Sequence, residues 1–335
     1  MVSQINKVKL AIILVITIVF IGCNNKENKK MTDDKDTLTS ISLRQEWFPY
    51  AGYAGELMAI NETAKKQGLD ITLEAGADNI DPIKLVISGA NDFGVASADR
   101  ILTANQKGAE LVAIGVINYN SPTCFIAKKE KNITTPTDFK GKTIGILTGT
   151  NTEYVYKALK NKLGLDDNSI KEVEIPFDLG TFISDAYDVR PAFIYDETIS
   201  LDMQEVAYTV IEPKNYGINF LGTVYFTTKK MVKEKPELVQ AFVNAMAEGW
   251  ELALNNPSQA IAYLKQYDNA ISEKRELASL IKGKDYFKGQ NGKILFSDTQ
   301  TWNGMADILK QLEVIKTFNA SESIDMTFVN NYHSK

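Results

Sequence analysis

The stretch EWFPYAGYAGELM, residues 46–58, decides how the rest of the chain reads. It follows a short alternating run over residues 40–43 that can serve as an edge strand. Trp47, Phe48, Tyr50 and Tyr53 arrive together, interrupted by Pro49, Gly52 and Gly55. Proline and closely spaced glycines cannot continue a strand, so the chain turns here and then enters a helix. A turn carrying four aromatic rings at a strand's carboxyl end is where open α/β sheets hold small molecules. The plainer alternative is that the rings fill a core, as most Trp and Phe side chains do.

Downstream, the pattern alternates strand and helix. Leu57, Ile60 and Ala64 lie on one face of a helix over residues 57–67, closed by Gly68. Residues 69–74 alternate as a half-buried strand. Asp81-Pro82 opens a helix that ends at Gly89, with aspartate at the cap and proline in the first turn. Residues 91–97 read as a buried strand, with Asp99 just beyond it at a helix start. The apolar run 111–117 has the character of a parallel strand covered on both faces. This alternation predicts a doubly wound sheet and not a sandwich.

Residues 143–147 predict a strand, followed by Gly149, Thr150, Asn151 and Glu153 at the start of a helix through Leu163. Glycine and small hydroxyl residues at such a start leave backbone N–H groups free for an anion or polar ligand. A plain capping turn at Thr150 or Asn151 is a compatible reading, and the stretch is no P-loop, because no Gly-Lys-Ser/Thr follows. Residues 173–176 predict a strand and 178–186 a helix beginning at Asp178. Residues 192–197 predict a strand whose carboxyl end carries Tyr195, Asp196 and Glu197. Neighbouring residues of a strand face opposite ways, so ligand recognition by one of these carboxylates ranks above paired acid–base catalysis. Residues 216–228 read as an extended crossing. Residues 236–255 form the strongest helix pattern, with Leu238, Phe242, Ala245, Met246, Gly249, Leu252 and Ala253 on one face. Asn256-Pro257 stops it and starts the next helix, and a further amphipathic helix covers 302–312.

The 335 residues exceed one average domain. With 24% charged residues and a net charge of -5, the chain lacks the basic field of a nucleic-acid binder. Two cysteines and one histidine, His333, leave almost no ligands for a zinc site and a poorly placed base for a serine triad. At the amino end, Lys7 and Lys9 precede an apolar run over 10–21, too short for a comfortable membrane span. Gly22 directly before Cys23 resembles a bacterial lipoprotein signal, although Phe20 and Ile21 depart from its commoner residues. Residues 1–22 are thus expected to be removed, Cys23 lipidated, and residues 23–39 a flexible tether; an ordinary signal peptide or an uncleaved anchor is the alternative. Cys124 is then left unpaired.

In order along the chain, Trp47-Phe48-Pro49 with Ala54-Gly55, GANDFGVAS (89–97), TDFKGKTIG (137–145), residues 148–154, residues 216–228, and Gly249-Trp250 through Asn256-Pro257 resemble one known family. These are the bacterial extracytoplasmic solute-binding proteins related to the thiamine-pyrimidine synthase family, which also covers alkanesulfonate and riboflavin binders. The resemblance spans roughly residues 40–315. It implies a type II periplasmic binding protein: two α/β lobes, each a doubly wound, mostly parallel sheet, joined by two crossing strands. Lobe one would cover 40–125 and 220–335, lobe two 126–219, with ligand in the cleft.

In pyrimidine binders of this family, aromatics stack on the ring and a carboxylate accepts from the exocyclic amine. The resemblance assigns the aromatics to Trp47 and Tyr53 and the carboxylate to Glu153. Phe48, Asp99, Asn120, Gly149, Thr150, Asn151, Asp178, Tyr195 and Asp196 complete the expected ligand-binding set. Eukaryotic synthase members carry a catalytic histidine where this chain has Tyr53, and a cysteine-rich motif that has no counterpart here. The expected function is therefore binding without chemistry. The protein would be a monomeric, lipid-anchored component outside the cytoplasm that hands a small heteroaromatic compound to an ABC permease with its ATPase, without cofactor, metal or nucleic acid. A thiamine-precursor pyrimidine is the favoured cargo. A flavin or an alkanesulfonate is the alternative within the class; a pyrimidine-synthesis enzyme and a sensory or adhesive surface lipoprotein are the rivals outside it.

Overall fold

The computed structural model describes residues 38–165 and 169–335; the signal-like segment, Cys23 and the tether through residue 37 lie outside the described residues. The ten strands are β1 (Thr39–Arg44), β2 (Leu69–Glu74), β3 (Phe93–Ser97), β4 (Leu111–Val116), β5 (Thr123–Lys128), β6 (Thr143–Ile146), β7 (Lys171–Glu174), β8 (Val189–Phe193), β9 (Tyr208–Ile211) and β10 (Thr223–Thr228). They form two five-stranded sheets with one plan. The first runs β2-β1-β3-β10-β4 and the second β7-β6-β8-β5-β9.

In each sheet a single strand runs against the other four. β1 pairs parallel with β2 and β3, while β10 pairs antiparallel with β3 and β4. β6 pairs parallel with β7 and β8, while β5 pairs antiparallel with β8 and β9. The reversed strand of each sheet adjoins a crossing: β5 enters the second sheet directly after β4, and β10 returns to the first directly after β9. This is the two-lobe α/β architecture of the periplasmic binding proteins, each lobe a mostly parallel sheet.

Two strand readings are corrected. The run over 40–43 is not an edge, because β1 lies between β2 and β3. Its polar positions are matched by neighbours: Ser42 is held by Asp92, and Arg44 pairs with Glu74 and Asn91. β4 is buried at all six residues, but the strand beside it, β10, is antiparallel, and among the described residues its parallel pairing is a single bridge from Ala113 to Ile324. Burial, not parallel pairing, sets its unbroken apolar character.

The aromatic turn leads into one helical run from Ala51 to Gln67, whose backbone passes through 3-10, α, π and 3-10 geometry. Gly68, at φ 75°, takes the left-handed conformation that closes it. The Pro236–Asn255 helix packs against this run and against β3, where Phe93 and Phe242 stack at 3.9 Å. Its buried surface is wider than one stripe and takes in Val239, Val243 and Trp250, while Leu238 and Leu252 stay half-buried. Trp250 donates to the Tyr225 hydroxyl at 2.9 Å and stacks on Phe287. In the second lobe Phe125 meets Phe139 and Tyr156, in an apolar cluster that continues into the first lobe, while Ile126, Phe182, Tyr187 and Leu201 form a cluster of the second lobe alone. Cys124 is unpaired and wholly buried. Among the described residues no helix is long and apolar enough to cross a membrane.

Candidate functional site

Because four strands of each sheet run the same way, their carboxyl ends gather on one side, and the two sides face each other. The chain leaving each strand there lines a cleft of about 830 Å³. From the first lobe come Glu46, Trp47, Tyr50 and Tyr53 after β1, residues 77–81 after β2, and Ser97 and Arg100 after β3. From the second come Leu147 and residues 149–152 after β6, Phe177 and Asp178 after β7, and Phe193, Asp196 and Glu197 at and after the end of β8. Asn118 and Thr223 close the floor at the crossings. Crevices at strand carboxyl ends are the ordinary ligand sites of open α/β sheets.

The aromatic turn is held from within. Tyr53 accepts a hydrogen bond from the Trp47 backbone N–H at 2.8 Å, Trp47 C=O accepts from Gly76 N–H, and Ala51 N–H donates to Glu276 at 2.7 Å. Trp47 is thereby presented to the cleft, where its ring meets Phe177 of the opposite lobe at 5.0 Å. Asn151 also reaches across, donating to the buried Asp99 carboxylate at 2.6 Å. Burial pushes the Asp99 carboxyl up, and the Asn151 bond works against that rise.

The cleft's charges come in matched sets. Arg100 binds Glu46 at 2.9 Å and Asp81 at 2.8 Å. Burial raises the Glu46 carboxyl, opposed by the Arg100 charge. Arg275, on the Glu273–Gly283 helix, pairs with Asp196 and Glu276 and donates to Ser200 at 3.1 Å. Glu197 accepts the Phe193 N–H at 2.7 Å; desolvation, then the charge of Asp196, pushes it up to about 7.

Of the expected site residues, Trp47, Tyr53, Gly149, Thr150, Asn151, Asp178 and Asp196 lie together in the cleft wall. Five do not. Phe48 is half exposed, edge-on to Trp47. Asp99 sits behind Asn151. Asn120 lines a small recess with Lys214 and Asn219, and Asn118 takes the cleft floor. Tyr195 is buried against Phe287 at 4.7 Å. Glu153 turns back on its own helix, accepting Gly149 N–H at 2.7 Å and pairing with Lys157 at 2.6 Å. The strand expected over 192–197 ends at Phe193, so Asp196 caps the Glu197–Met203 helix instead of ending a strand. Glycine-poor turn chemistry after Phe193 hid that break.

Sequence reading missed Glu46, Asp81, Arg100, Phe177 and Arg275. Glu46 lay in view beside Trp47. Arg275 lies 79 positions from Asp196, a separation that no local pattern spans. Among the described residues no group of three or more His, Cys, Asp or Glu could hold a metal ion, and His333 sits at the last helix with its ring against the Ile294 carbonyl.

Comparison with known proteins follows the same lines. A formylaminopyrimidine-binding protein of Halalkalibacterium halodurans is 24% identical over 277 residues, covering 80% of this chain and 84% of its own. A 4-amino-5-hydroxymethyl-2-methylpyrimidine phosphate synthase of Legionella pneumophila is 25% identical over 205 residues, covering 60% and 65%. The crystal structure of the periplasmic aliphatic sulphonate binding protein SsuA from Escherichia coli superposes with a TM-score of 0.70 at 14% identity, covering 86% of this chain and 92% of that one. The NMT1/THI5 like family model matches residues 65–260, more than half of the chain, and the chain belongs to that family.

Proposed function

We propose that this protein is the solute-binding component of an ABC importer, anchored outside the cytoplasm through lipid on Cys23, and that it binds a thiamine-precursor pyrimidine in the interlobe cleft without transforming it. The carrying observation is the cleft itself: about 830 Å³, between two lobes that contact each other through Trp47 and Phe177, with carboxylates set around the rings. A flat heteroaromatic gains area burial and stacking beside such rings, and its amino groups find carboxylate acceptors. The formylaminopyrimidine-binding relative supports the ligand class. The synthase relative favours an enzyme, but the aromatic turn gives Tyr53 the task of holding the Trp47 backbone, and the cleft wall contains neither histidine nor lysine.

Lobe limits near 40–125 with 220–335, and 126–219, are supported by the crossings between β4 and β5 and between β9 and β10, although β5 joins the second sheet from Thr123 onward. The cleft volume also admits a ligand larger than one pyrimidine, which keeps riboflavin in the test.

The test is a thermal-shift and calorimetric screen of residues 38–335 against aminopyrimidines, thiamine, riboflavin and alkanesulfonates. Ligand at a hundred times its dissociation constant adds about 2.7 kcal/mol to the folded state. An aminopyrimidine should bind, and Trp47→Ala should weaken it by about tenfold or more through lost stacking. Binding of sulfonates alone, indifferent to Trp47, would overturn the reading.

A further inference from the structure

Three features of the cleft region would attract an anion, and each already has a carboxylate of the protein beside it. Arg100 holds Glu46 and Asp81. Arg275 holds Asp196 and Glu276. The third is the start of the twelve-residue Asn151–Lys162 helix, whose dipole and free N–H groups ordinarily suit a phosphate. There Gly149 N–H donates to Glu153, Thr150 N–H to Leu147 C=O, and the Glu153 carboxylate supplies the negative charge from within the first turn. No lysine lines the cleft, and Asp78 and Asp178 add carboxylates that no arginine in the wall pairs with.

We propose that the cleft is built to exclude anions: it takes an amino-bearing heteroaromatic that is neutral or cationic, and rejects the phosphate ester of the same compound. This rests on the proposed solute-binding function and narrows its substrate class. Physically, an incoming phosphate meets no free guanidinium, and to capture one it must displace an internal carboxylate and leave that charge in a partly desolvated wall. Like charges brought together at an interface, and charges stripped of their partners, both weaken binding strongly. A ring amine or protonated ring nitrogen meets the opposite situation, with a carboxylate that has no arginine partner on each lobe, Asp78 and Asp178. Glu153, which touches none of the cleft volume, then acts as a positioning residue for selectivity: it holds Gly149 N–H and sets a negative charge in the first turn, against the end of the dipole that a phosphate would otherwise use.

Titration calorimetry with matched pairs tests this: the hydroxymethyl aminopyrimidine against its phosphate monoester, and riboflavin against flavin mononucleotide. In the wild type the uncharged member should bind at least about 100-fold more tightly than its ester, a gap of about 2.7 kcal/mol. Glu153→Gln and Asp81→Asn should each narrow that gap by about tenfold, chiefly by strengthening the ester. A purely structural role for Glu153 would instead weaken both members equally. An ester within tenfold of its parent in the wild type overturns the proposal. If the pyrimidines fail and riboflavin binds, the cargo assignment falls while the flavin pair still tests exclusion. If neither pair binds, thermal shift with inorganic phosphate decides: stabilisation of the wild type overturns the proposal, and stabilisation confined to Glu153→Gln and Asp81→Asn supports it.

Discussion

Glu56 is wholly buried in the first lobe, behind the aromatic turn. Gln45 Nε2 donates to its Oε2 at 2.8 Å, yet Gln45 Oε1 and Glu56 Oε1 are both buried without a partner. A neutral carboxyl paired with the amide, each donating to the other, would orphan neither oxygen. Desolvation works in the same direction, pushing Glu56 up to about 8 against the Gln45 and Tyr225 hydrogen bonds. The titratable groups whose fields meet it are Tyr53, Tyr225 and Tyr267, all neutral at physiological pH. Since the folded carboxyl holds its proton to a higher pH than the unfolded one, its contribution is complete below the unfolded value near 4.5 and is lost as pH rises toward 8. Urea unfolding from pH 5 to pH 8 should therefore show the wild type losing about 3 kcal/mol relative to Glu56→Gln, which keeps the shape and removes the titration. Parallel curves for the two proteins would show that Glu56 is ionised throughout.

The same scale separates legible from illegible residues. Trp47 and Tyr53 were readable because aromatics between proline and glycines mark a turn with a purpose. Glu153 turns to Gly149 and Lys157 instead of the cleft, a placement the sequence does not signal, because a carboxylate four residues after a glycine can serve its own helix start as readily as face a ligand. Arg100 and Arg275 carry no local signature; only the folded cleft makes them charge partners.

Among elements, the Pro236–Asn255 helix was legible to its ends, since proline at the first turn and Asn256-Pro257 after the last bracket a long apolar pattern. Its contact with the Ala51–Gln67 run was not. The two helices approach so closely that a Cβ on Gly55 would stand 2.2 Å from the Trp250 ring, and one on Gly249 would stand 2.4 Å from the Gly55 carbonyl. Sequence offers two glycines 194 positions apart and no hint that they face each other (55 to 249). Gly55→Ala should force this packing apart and cost about 2–3 kcal/mol, as overpacking of a close-packed core does. Gly304→Ala, on an open part of the Thr299–Gln311 helix, should be neutral or slightly stabilising. Equal unfolding midpoints for the two variants would refute the close-approach account.

At the scale of the whole molecule, the alternation of strand and helix announced α/β lobes, but the strand order could not be read. Both reversed strands belong to crossings, so their place depends on which sheet they enter, a choice made by long-range pairing such as Thr223 with Ser97. Once the lobes exist, two sets of contacts hold them facing each other. Across the cleft these are the Trp47–Phe177 ring contact and the Asn151–Asp99 bond. Beside it, residues 275–287 pack on the second lobe through Arg275 with Asp196 and Ser200, Ser279 with Tyr195, Lys282 with Asp202, and Phe287 with Tyr195. An apolar cluster running from Val116 and Val224 to Phe125 and Ile144 already ties the lobes together at the crossings, so the contacts at the cleft bias closure more than they stabilise folding. Asn151→Ala removes the cross-cleft bond and leaves the Asp99 carboxyl buried without that donor, while the longer bonds that Asn151 accepts from Ser121 and Thr123, at 3.4 and 3.5 Å, are a smaller loss. The variant should show a larger radius of gyration by small-angle scattering without ligand and bind its ligand about tenfold more weakly, because closure then draws on binding energy. Its unfolding midpoint should move little. A large drop in stability with unchanged affinity would instead make Asn151 part of the second lobe's own framework, and lobe closure would have to rest on the Trp47–Phe177 contact and the packing of residues 275–287.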